Sequence, residues 1–143
     1  MGLARLGRMP PVVPPTTTVL DAATLMTMHR VGAIAVLDER KPLGVFTERD
    51  LMTRVVAASR DPATTRVEEV MTRNVYSVPD NTSVAAAATV MRTNHFRHLP
   101  VVDENGEMVS MVALRYLLYA LMDDLEAKVF DLEGFLMEDS RGG

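Results

Sequence analysis

The hydrophobic positions in the first half of the chain predict a helix, two strands and a second helix. Apolar residues recur at three- and four-residue spacing up to about Met28, which indicates an amphipathic helix. Two short apolar runs, at 33–37 and 43–46, indicate buried strands. A further helix is expected to begin near Arg49. With a strand ahead of the first helix, the unit is β-α-β-β-α.

The second half of the chain shows the same order of elements. Its first helix is expected to end near Thr93, its strands to occupy 99–102 and 108–112, and its last helix to begin near Arg115. Between the strands lies Asn105-Gly106, a dipeptide that is typical of tight hairpin turns. In both halves, hydroxyl residues precede the first helix and can cap it; they are Thr17 and Thr18, then Thr82 and Ser83.

The two halves are copies of each other. When the chain is shifted by 65 residues, 10 of the 26 positions between 13 and 38 are identical to their counterparts. One extra residue enters the second copy at the Asn105-Gly106 turn, after which the offset is 66. A unit with so few strands cannot bury both faces of its sheet alone, so the two copies are expected to pack together with pseudo-two-fold symmetry.

A third apolar pattern continues beyond the second copy. Leucine and valine residues keep three- to four-residue spacing through 119–138, which predicts one long amphipathic helix or two helices broken near Gly134. A compact module of two copies does not need this segment. Its apolar stripe is therefore expected to cover a partner.

Composition and charge narrow the possible functions. The chain has 143 residues and no cysteine, which excludes disulfides, thiol catalysis and cysteine-based metal sites. Its net charge of -4 argues against nucleic acid as the main partner, because phosphate neutralisation requires a basic face. No apolar run approaches the roughly 20 residues of a membrane helix, and the N-terminus lacks the apolar stretch of a signal peptide. A cytoplasmic protein without a membrane or nucleic-acid partner is expected.

Two segments carry a family resemblance. Gly44-Val-Phe-Thr-Glu-Arg-Asp50 in the first copy and Leu99-Pro-Val-Val-Asp103 in the second resemble the repeats of a tandem CBS-domain pair, the Bateman module. The resemblance covers roughly residues 9–120 and implies an α/β fold of two tandem β-α-β-β-α repeats with a C-terminal amphipathic helix. The expected division is an N-terminal extension at 1–8, repeat 1 at 9–60, a linker and lead-in helix at 61–71, repeat 2 at 72–120 and a helical tail at 121–143.

Thr47 and Asp50 are the first candidates for a binding site. Thr47 is predicted to end a strand and Asp50 to lie in the first turn of the following helix. A carboxylate there can accept two hydrogen bonds from the vicinal hydroxyls of a ribose, and the threonine hydroxyl can cap the helix and reach a ligand. An aspartate in a first turn also stabilises a helix without any ligand, and that structural role is the alternative.

The resemblance implies the rest of the site. Ser77 would come from the start of the second repeat, and Ile34 and Val36 would flank an adenine ring. Arg97 and His98 would face the phosphate, against the alternative of a solvated arginine and a strand-edge histidine. A metal site among the three histidines, and a paired-carboxylate or nucleophile site, are not expected.

The second repeat departs from the family pattern. Ala113 and Tyr116 stand where the first repeat has Thr47 and Asp50, so the second site lacks a carboxylate for ribose. That site is expected to be empty, filled by Tyr116 or adapted to another ligand. One good site per chain follows from this asymmetry.

The resemblance thus implies a non-enzymatic sensor of AMP, ADP or ATP that requires no cofactor. It also implies a homodimer in which the C-terminal helix adds to the interface, and a regulated partner that the sequence does not identify. Two alternatives remain open. One is an interaction module with a vestigial nucleotide site, and the other is a sensor of S-adenosylmethionine or NAD, since both contain a ribose.

Overall fold

The computed structural model describes residues 2–73 and 76–142, with side chains through residue 134 and at 136. Its strands form two sheets. In the order β1-β2-β3-β4, the first sheet holds β1 (Val12–Val13), β2 (Ala33–Asp38), β3 (Lys41–Thr47) and β4 (Thr72–Arg73). The second sheet, in the order β5-β6-β7, holds β5 (Val78–Pro79), β6 (His98–Val102) and β7 (Met108–Ala113).

The helices follow the predicted order. Thr18 and Ser83 cap the first helix of each repeat, because their side-chain oxygens accept from the backbone N–H groups of Asp21 and Ala86. The predicted α/β fold with two tandem β-α-β-β-α units and a C-terminal helix is confirmed. The helices are α1 (Val19–His29), α2 (Glu48–Asp50) with a π-helical continuation (Leu51–Val56), α3 (Val67–Val70), α4 (Val84–Asn94) and α5 (Leu114–Gly142), and a short 3-10 helix (Leu3–Leu6) precedes them.

The pairing register repeats between the sheets. β1 runs parallel to β2, with Val13 opposite Val36, and β5 runs parallel to β6, with Val78 opposite Val101. Each of these pairs is related to the other by the 65-residue offset of the sequence repeat. The hairpins β2–β3 and β6–β7 are both antiparallel. The sequence repeat is therefore also a repeat of backbone pairing.

The segment that precedes each repeat in the sequence packs on the other repeat. Leu3 is buried in the core of the second repeat, beside Val78 and Leu99. Reciprocally, Val67 and Val70 of α3 are buried in the core of the first repeat, and β4 extends the first sheet by pairing with β3. The segments at 2–8 and 61–73 thus pack across the sequence boundaries that separate the repeats, and these contacts connect the two units.

A small apolar cluster also joins the two units. Ala33 and Val45 of the first sheet are buried together with Met111 of the second. Phe46 and Leu99 are fully buried in the separate cores on either side. Burying a side chain of this size contributes roughly 1.5–3 kcal/mol, so the cores, and not the cluster between them, supply most of the stabilisation.

The predicted apolar stripe of the last helix divides into two parts. Helix α5 continues through Gly134 as a single helix, so the alternative of two helices does not hold. Leu114 and Leu117 pack on the core of the second repeat. In the part of the chain that the structure describes, no helix is long and apolar enough to cross a membrane.

Candidate functional site

A cavity of about 340 Å³ lies between the two repeats and is here called the first cavity. On one side it is lined by the end of β3 and the start of α2, and on the other by residues 95–98 of the second repeat. Four of the residues predicted from the sequence meet there. They are Thr47, Asp50, Arg97 and His98.

Thr47 and Asp50 form a reciprocal cap at the start of α2. The backbone N–H of Asp50 donates to Thr47 Oγ1 (3.1 Å), and the backbone N–H of Thr47 donates to Asp50 Oδ2 (3.0 Å). This arrangement satisfies two amide groups that a helix start leaves without partners. The structural role predicted for both residues is therefore present, and it also fixes the carboxylate at the cavity wall.

Two further groups hold the Asp50 carboxylate, which is only 5% exposed. The Thr72 hydroxyl donates to Oδ1 (3.1 Å) and Oδ2 (3.3 Å). The Arg54 side chain approaches Oδ1 through Nε at 3.8 Å and donates from Nη1 to the carbonyl oxygens of Val70 and Met71. A carboxylate has about four lone-pair positions. The single Thr72 proton is shared between the two oxygens and Arg54 Nε lies beyond hydrogen-bond distance, so the donors Thr47 and Thr72 leave Asp50 with acceptor capacity.

Gly44 explains why Thr72 can reach Asp50. A Cβ atom at Gly44 would lie 2.6 Å from the Thr72 carbonyl oxygen and 2.8 Å from Met71 Sδ. A larger residue would push β4 away from β3, where Gly44 pairs with Arg73. The small residue that opens the Gly44–Asp50 segment is thus required by the packing that places Thr72 beside the carboxylate.

The helix that carries Asp50 widens immediately after it. Over Leu51–Val56 the backbone is π-helical, and the N–H of Ala57 donates to the carbonyl of Met52, five residues back. Wide turns of this kind are uncommon and are often found next to functional sites. Here the widening begins one residue after the carboxylate that lines the first cavity.

Residues 95–98 reach the cavity because of a tight bend after α4. His95 has φ 58°, in the left-handed region, and its backbone N–H donates to the carbonyl of Met91. Arg30 ends α1 with φ 54° at the equivalent position of the first repeat. The bend redirects the chain so that Phe96, Arg97 and the first residue of β6, His98, line the cavity.

The electrostatics of this wall favour a neutral histidine beside exposed positive charge. Burial lowers the pKa of His98 below its ordinary value of 6.5, and the charges of Arg97 and Arg115 lower it further. The Glu48 carboxylate acts in the opposite direction. At neutral pH, His98 therefore offers a neutral imidazole, while the exposed Arg97 carries the charge.

Three predicted site residues lie elsewhere. Ile34 and Val36 are fully buried in the core of the first repeat, among residues of α1 and α3. These two side chains are core residues in this structure and offer no surface to an adenine ring. Ser77 is exposed and does not line the first cavity.

The structure adds Val45 and Phe96, which the sequence reasoning missed, as the apolar lining of the first cavity. The ring of the half-buried Phe96 packs against Tyr76, with centroids 5.9 Å apart and planes at 47°. An aromatic residue among basic residues at a helix-to-strand junction was the signal for Phe96. Thr72 gave no comparable signal, because its contact to Asp50 depends on the pairing of β3 with β4. Arg54 lies four residues after Asp50, a spacing that brings opposite charges together on a helix, and this local signal was missed.

A second cavity of about 470 Å³ occupies the pseudo-symmetric position. Ala113 and Tyr116 line it where Thr47 and Asp50 line the first cavity, as the sequence offset requires. Tyr116 is 42% exposed and accepts a hydrogen bond from Arg115. Among the described residues, the arginine and histidine side chains that also line it are Arg8, Arg30, Arg115, His29 and His98, and no carboxylate lines it.

A groove of about 740 Å³ lies between α4 and α5 and shares one wall with the first cavity. Residues 95–97 and Arg49 line both spaces. The remainder of the groove is mostly apolar and includes Leu118 and Leu121. A ligand that moves this shared wall would also change the shape of the groove.

Comparison with known proteins gives consistent results. The family profile of the CBS domain matches the chain twice, at residues 6–57 and 67–123. The CBS domain-containing protein YhcV of Bacillus subtilis is 40% identical over 102 residues, which are 71% of each chain. Some relatives are longer: the chain spans 20% of the length of CBSCBSPB1 of Arabidopsis thaliana.

Two solved structures share the fold over nearly their whole length. A protein with CBS domains from Burkholderia ambifaria is 31% identical, with a TM-score of 0.76, and the match covers 87% of this chain and 96% of that one. The CBS domain protein PAE2072 of Pyrobaculum aerophilum, solved in complex with AMP, is 29% identical, with a TM-score of 0.76 and coverage of 89% and 99%.

Proposed function

The chain belongs to the CBS-domain family, and from this premise we propose that its first cavity binds an adenine nucleotide, AMP, ADP or ATP, to regulate a partner protein. The observation that carries the proposal is the convergence of Asp50, Arg97 and His98 on one cavity between the repeats. A carboxylate, a guanidinium and an imidazole are groups that suit a ribose phosphate. The AMP complex of the Pyrobaculum aerophilum relative supports the same ligand class.

The ribose would lie against Asp50. The carboxylate is fixed by Thr47 and Thr72, so little conformational freedom is lost when a ligand binds. Its remaining acceptor positions would receive the two vicinal hydroxyls as charge-assisted hydrogen bonds, which are stronger than neutral ones.

The phosphate and the base would occupy opposite parts of the cavity. Arg97 would bind phosphate oxygens with its forked guanidinium, and His98 would donate one further hydrogen bond. Phe96 and Val45 replace Ile34 and Val36 as the proposed apolar surface for adenine. Flat aromatic bases bind well in a slot that is mostly apolar with a few polar groups.

Regulation would act through the shared wall. Residues 95–97 line both the nucleotide cavity and the groove between α4 and α5. A ligand can shift a protein only toward the state that it binds more tightly. A nucleotide that holds these residues in one position would therefore select one shape of the groove, which a partner protein could recognise.

In this proposal, the chain is a non-catalytic module that works as a homodimer in the cytoplasm. Two alternatives differ in the role of the first cavity. The four contacts that hold Asp50 within its own chain favour a structural role, as expected for an interaction module with a vestigial site. A sensor of S-adenosylmethionine or NAD would use the same ribose contact with a larger or differently charged ligand.

Isothermal titration calorimetry of the nucleotide-stripped protein with AMP, ATP, NAD and S-adenosylmethionine tests the proposal. Saturable binding of AMP or ATP at one ligand per chain is expected. Two ligands per chain would mean that Ala113 and Tyr116 do not disable the second cavity. Preference for NAD or S-adenosylmethionine would make that molecule the ligand in place of AMP, ADP or ATP. No binding to any of the four would favour the interaction module with a vestigial site.

A further inference from the structure

Helix α5 extends beyond the body of its own chain. Leu117 is fully buried and Leu121 is half-buried at the groove beside α4. From Met122 onward, every described side chain of the helix is exposed. The last part of α5 is therefore an amphipathic helix whose apolar side has no partner among the described residues of its own chain.

Six exposed aliphatic residues of α5 follow a heptad repeat. Their successive spacings are four, three, four, three and four residues, which is the a and d pattern of a coiled coil and is narrower than the stripe of a helix packed on a globular core. Each is between 46% and 62% exposed, and the first also lines the groove beside α4. They are Leu118, Leu125 and Leu132 at d, with Met122, Val129 and Leu136 at a.

We propose that this seam pairs with α5 of a second copy of the chain in a parallel, in-register, two-stranded coiled coil. Leucine occupies every d position, and a β-branched valine lies at the central a position, Val129. At the central layer, this combination favours two parallel strands over three or four. The seam from 118 to 136 spans about 27 Å at the rise of an α-helix.

The charges beside the seam match this orientation. Lys128 lies at a g position, and Glu133 lies at the e position five residues later. In a parallel pair, Lys128 of each copy faces Glu133 of the other copy, which gives two opposite-charge contacts. An antiparallel pair would bring e positions together and place Glu126 against glutamates of the second copy. The sequence is thus self-complementary in the parallel orientation only.

The coil is short and acts as an addition to a larger dimer. Fewer than three heptads are marginal as an isolated helix pair, because short helices lack sufficient packing. In the homodimer of the proposed function, on which this inference rests, the adjacent repeats would hold the two tails near each other and raise their effective concentration. Phe130 lies off the seam and is 76% exposed, and the coil does not account for it.

Cysteine cross-linking of the full chain tests the proposal, because the native sequence contains no cysteine. In a parallel, in-register coil, the side chains of Val129→Cys from the two copies face each other across the seam and form a disulfide. Ala127→Cys is the matched control, since position 127 is an exposed f position on the outer side. Oxidation followed by non-reducing electrophoresis should give at least about tenfold more cross-linked dimer for position 129.

Either of two results would overturn the proposal. Absence of a cross-link at position 129 would exclude the parallel, in-register coil. An antiparallel coil would also give this result, because position a then faces position d. Equal cross-linking at 127 and 129 would mean that the tails collide without a defined seam. Both substituted positions are exposed, and circular dichroism of the reduced proteins verifies that the fold is retained.

Charge reversal in the Val129→Cys protein tests the register independently. In a glutathione redox buffer, the fraction of disulfide at equilibrium gives the effective concentration of the two cysteines. Lys128→Glu alone should lower this effective concentration by about tenfold. Adding Glu133→Lys should restore it to within about twofold, whereas adding Asp124→Lys should not. Failure of restoration would overturn the proposed pairing. Because nucleotide titrations do not enter these measurements, failure of the coil and failure of the proposed nucleotide binding can be distinguished.

Discussion

The Thr72 hydroxyl donates to both carboxylate oxygens of Asp50, at 3.1 and 3.3 Å. Thr72 belongs to the lead-in strand of the second repeat, whereas Asp50 lies in the first turn of the last helix of the first repeat. The contact therefore joins the two repeats at the first cavity. Because the carboxylate is nearly buried, its orientation depends on this hydroxyl as well as on the cap from Thr47.

Replacing Thr72 with valine should destabilise the fold by about 1–2 kcal/mol. The substitution conserves shape but removes a donor to a buried charge, and hydrogen bonds to charged groups contribute roughly 1.5–3 kcal/mol. Thr24→Val is the control, because the exposed Thr24 hydroxyl donates only to the Leu20 carbonyl within its own helix. Urea denaturation measures both free energies of unfolding. Equal values for the two variants would show that Thr72 does not hold Asp50.

Asp50→Asn should weaken AMP binding by roughly ten- to one-hundred-fold, the effect of losing a charge-assisted hydrogen bond of about 1.5–3 kcal/mol. Asparagine retains an acceptor oxygen for the cap, so the helix start should survive. The matched control is Asp21→Asn, because Asp21 lies in the first turn of α1 after the capping Thr18 but does not line the cavity. Calorimetric titration gives both affinities. Unchanged affinity in the Asp50 variant would remove the ribose assignment and favour the structural role.

Most of the fold could be predicted because the spacing of the hydrophobic residues and the internal repeat indicate the type and order of the helices and strands. The 65-residue offset fixed the equivalence of α1 with α4, and the capping roles of Thr18 and Ser83 depend only on local chemistry. The cap formed by Thr47 and Asp50 also depends only on local chemistry, since their reciprocal hydrogen bonds span three residues.

The remaining features depend on contacts between distant residues. Ile34 and Val36 were implied as adenine contacts by the family resemblance, which does not show that both faces of β2 are buried at these positions in this chain. Thr72 reaches Asp50 across 22 residues through the pairing of β4 with β3. Phe96 lines the cavity because of the left-handed bend at His95, a conformation that a non-glycine residue rarely adopts.

Arg97→Gln should separate phosphate recognition from nucleoside recognition. Loss of a charged contact to phosphate should weaken AMP binding by about tenfold or more, while adenosine, which has no phosphate, should bind within about twofold of the wild type. Arg92→Gln is the control, since Arg92 is exposed on α4 and lines the groove but not the first cavity. Equal loss for AMP and adenosine would assign Arg97 to the shape of the cavity wall and not to phosphate.

The free energy of unfolding should decrease as the pH falls below about 6.5, and His98 should cause part of the decrease. Burial, with the charges of Arg97 and Arg115, lowers the pKa of His98 in the folded chain, and the unfolded chain restores the ordinary value of 6.5. Between these two pKa values the unfolded state binds more protons, so stability rises with pH across this window and levels off above it.

The matched comparison uses His98→Gln and His29→Gln, in which the second variant changes an exposed histidine. Urea denaturation at about pH 7 and pH 5 should show a smaller loss of stability for His98→Gln than for the wild type, with a slope difference of at most about 1.4 kcal/mol per pH unit for one proton. His29→Gln should retain the wild-type difference. If His98→Gln loses as much stability as the wild type, then the imidazole takes up its proton without cost, and the neutral state assigned to His98 at the cavity wall is wrong.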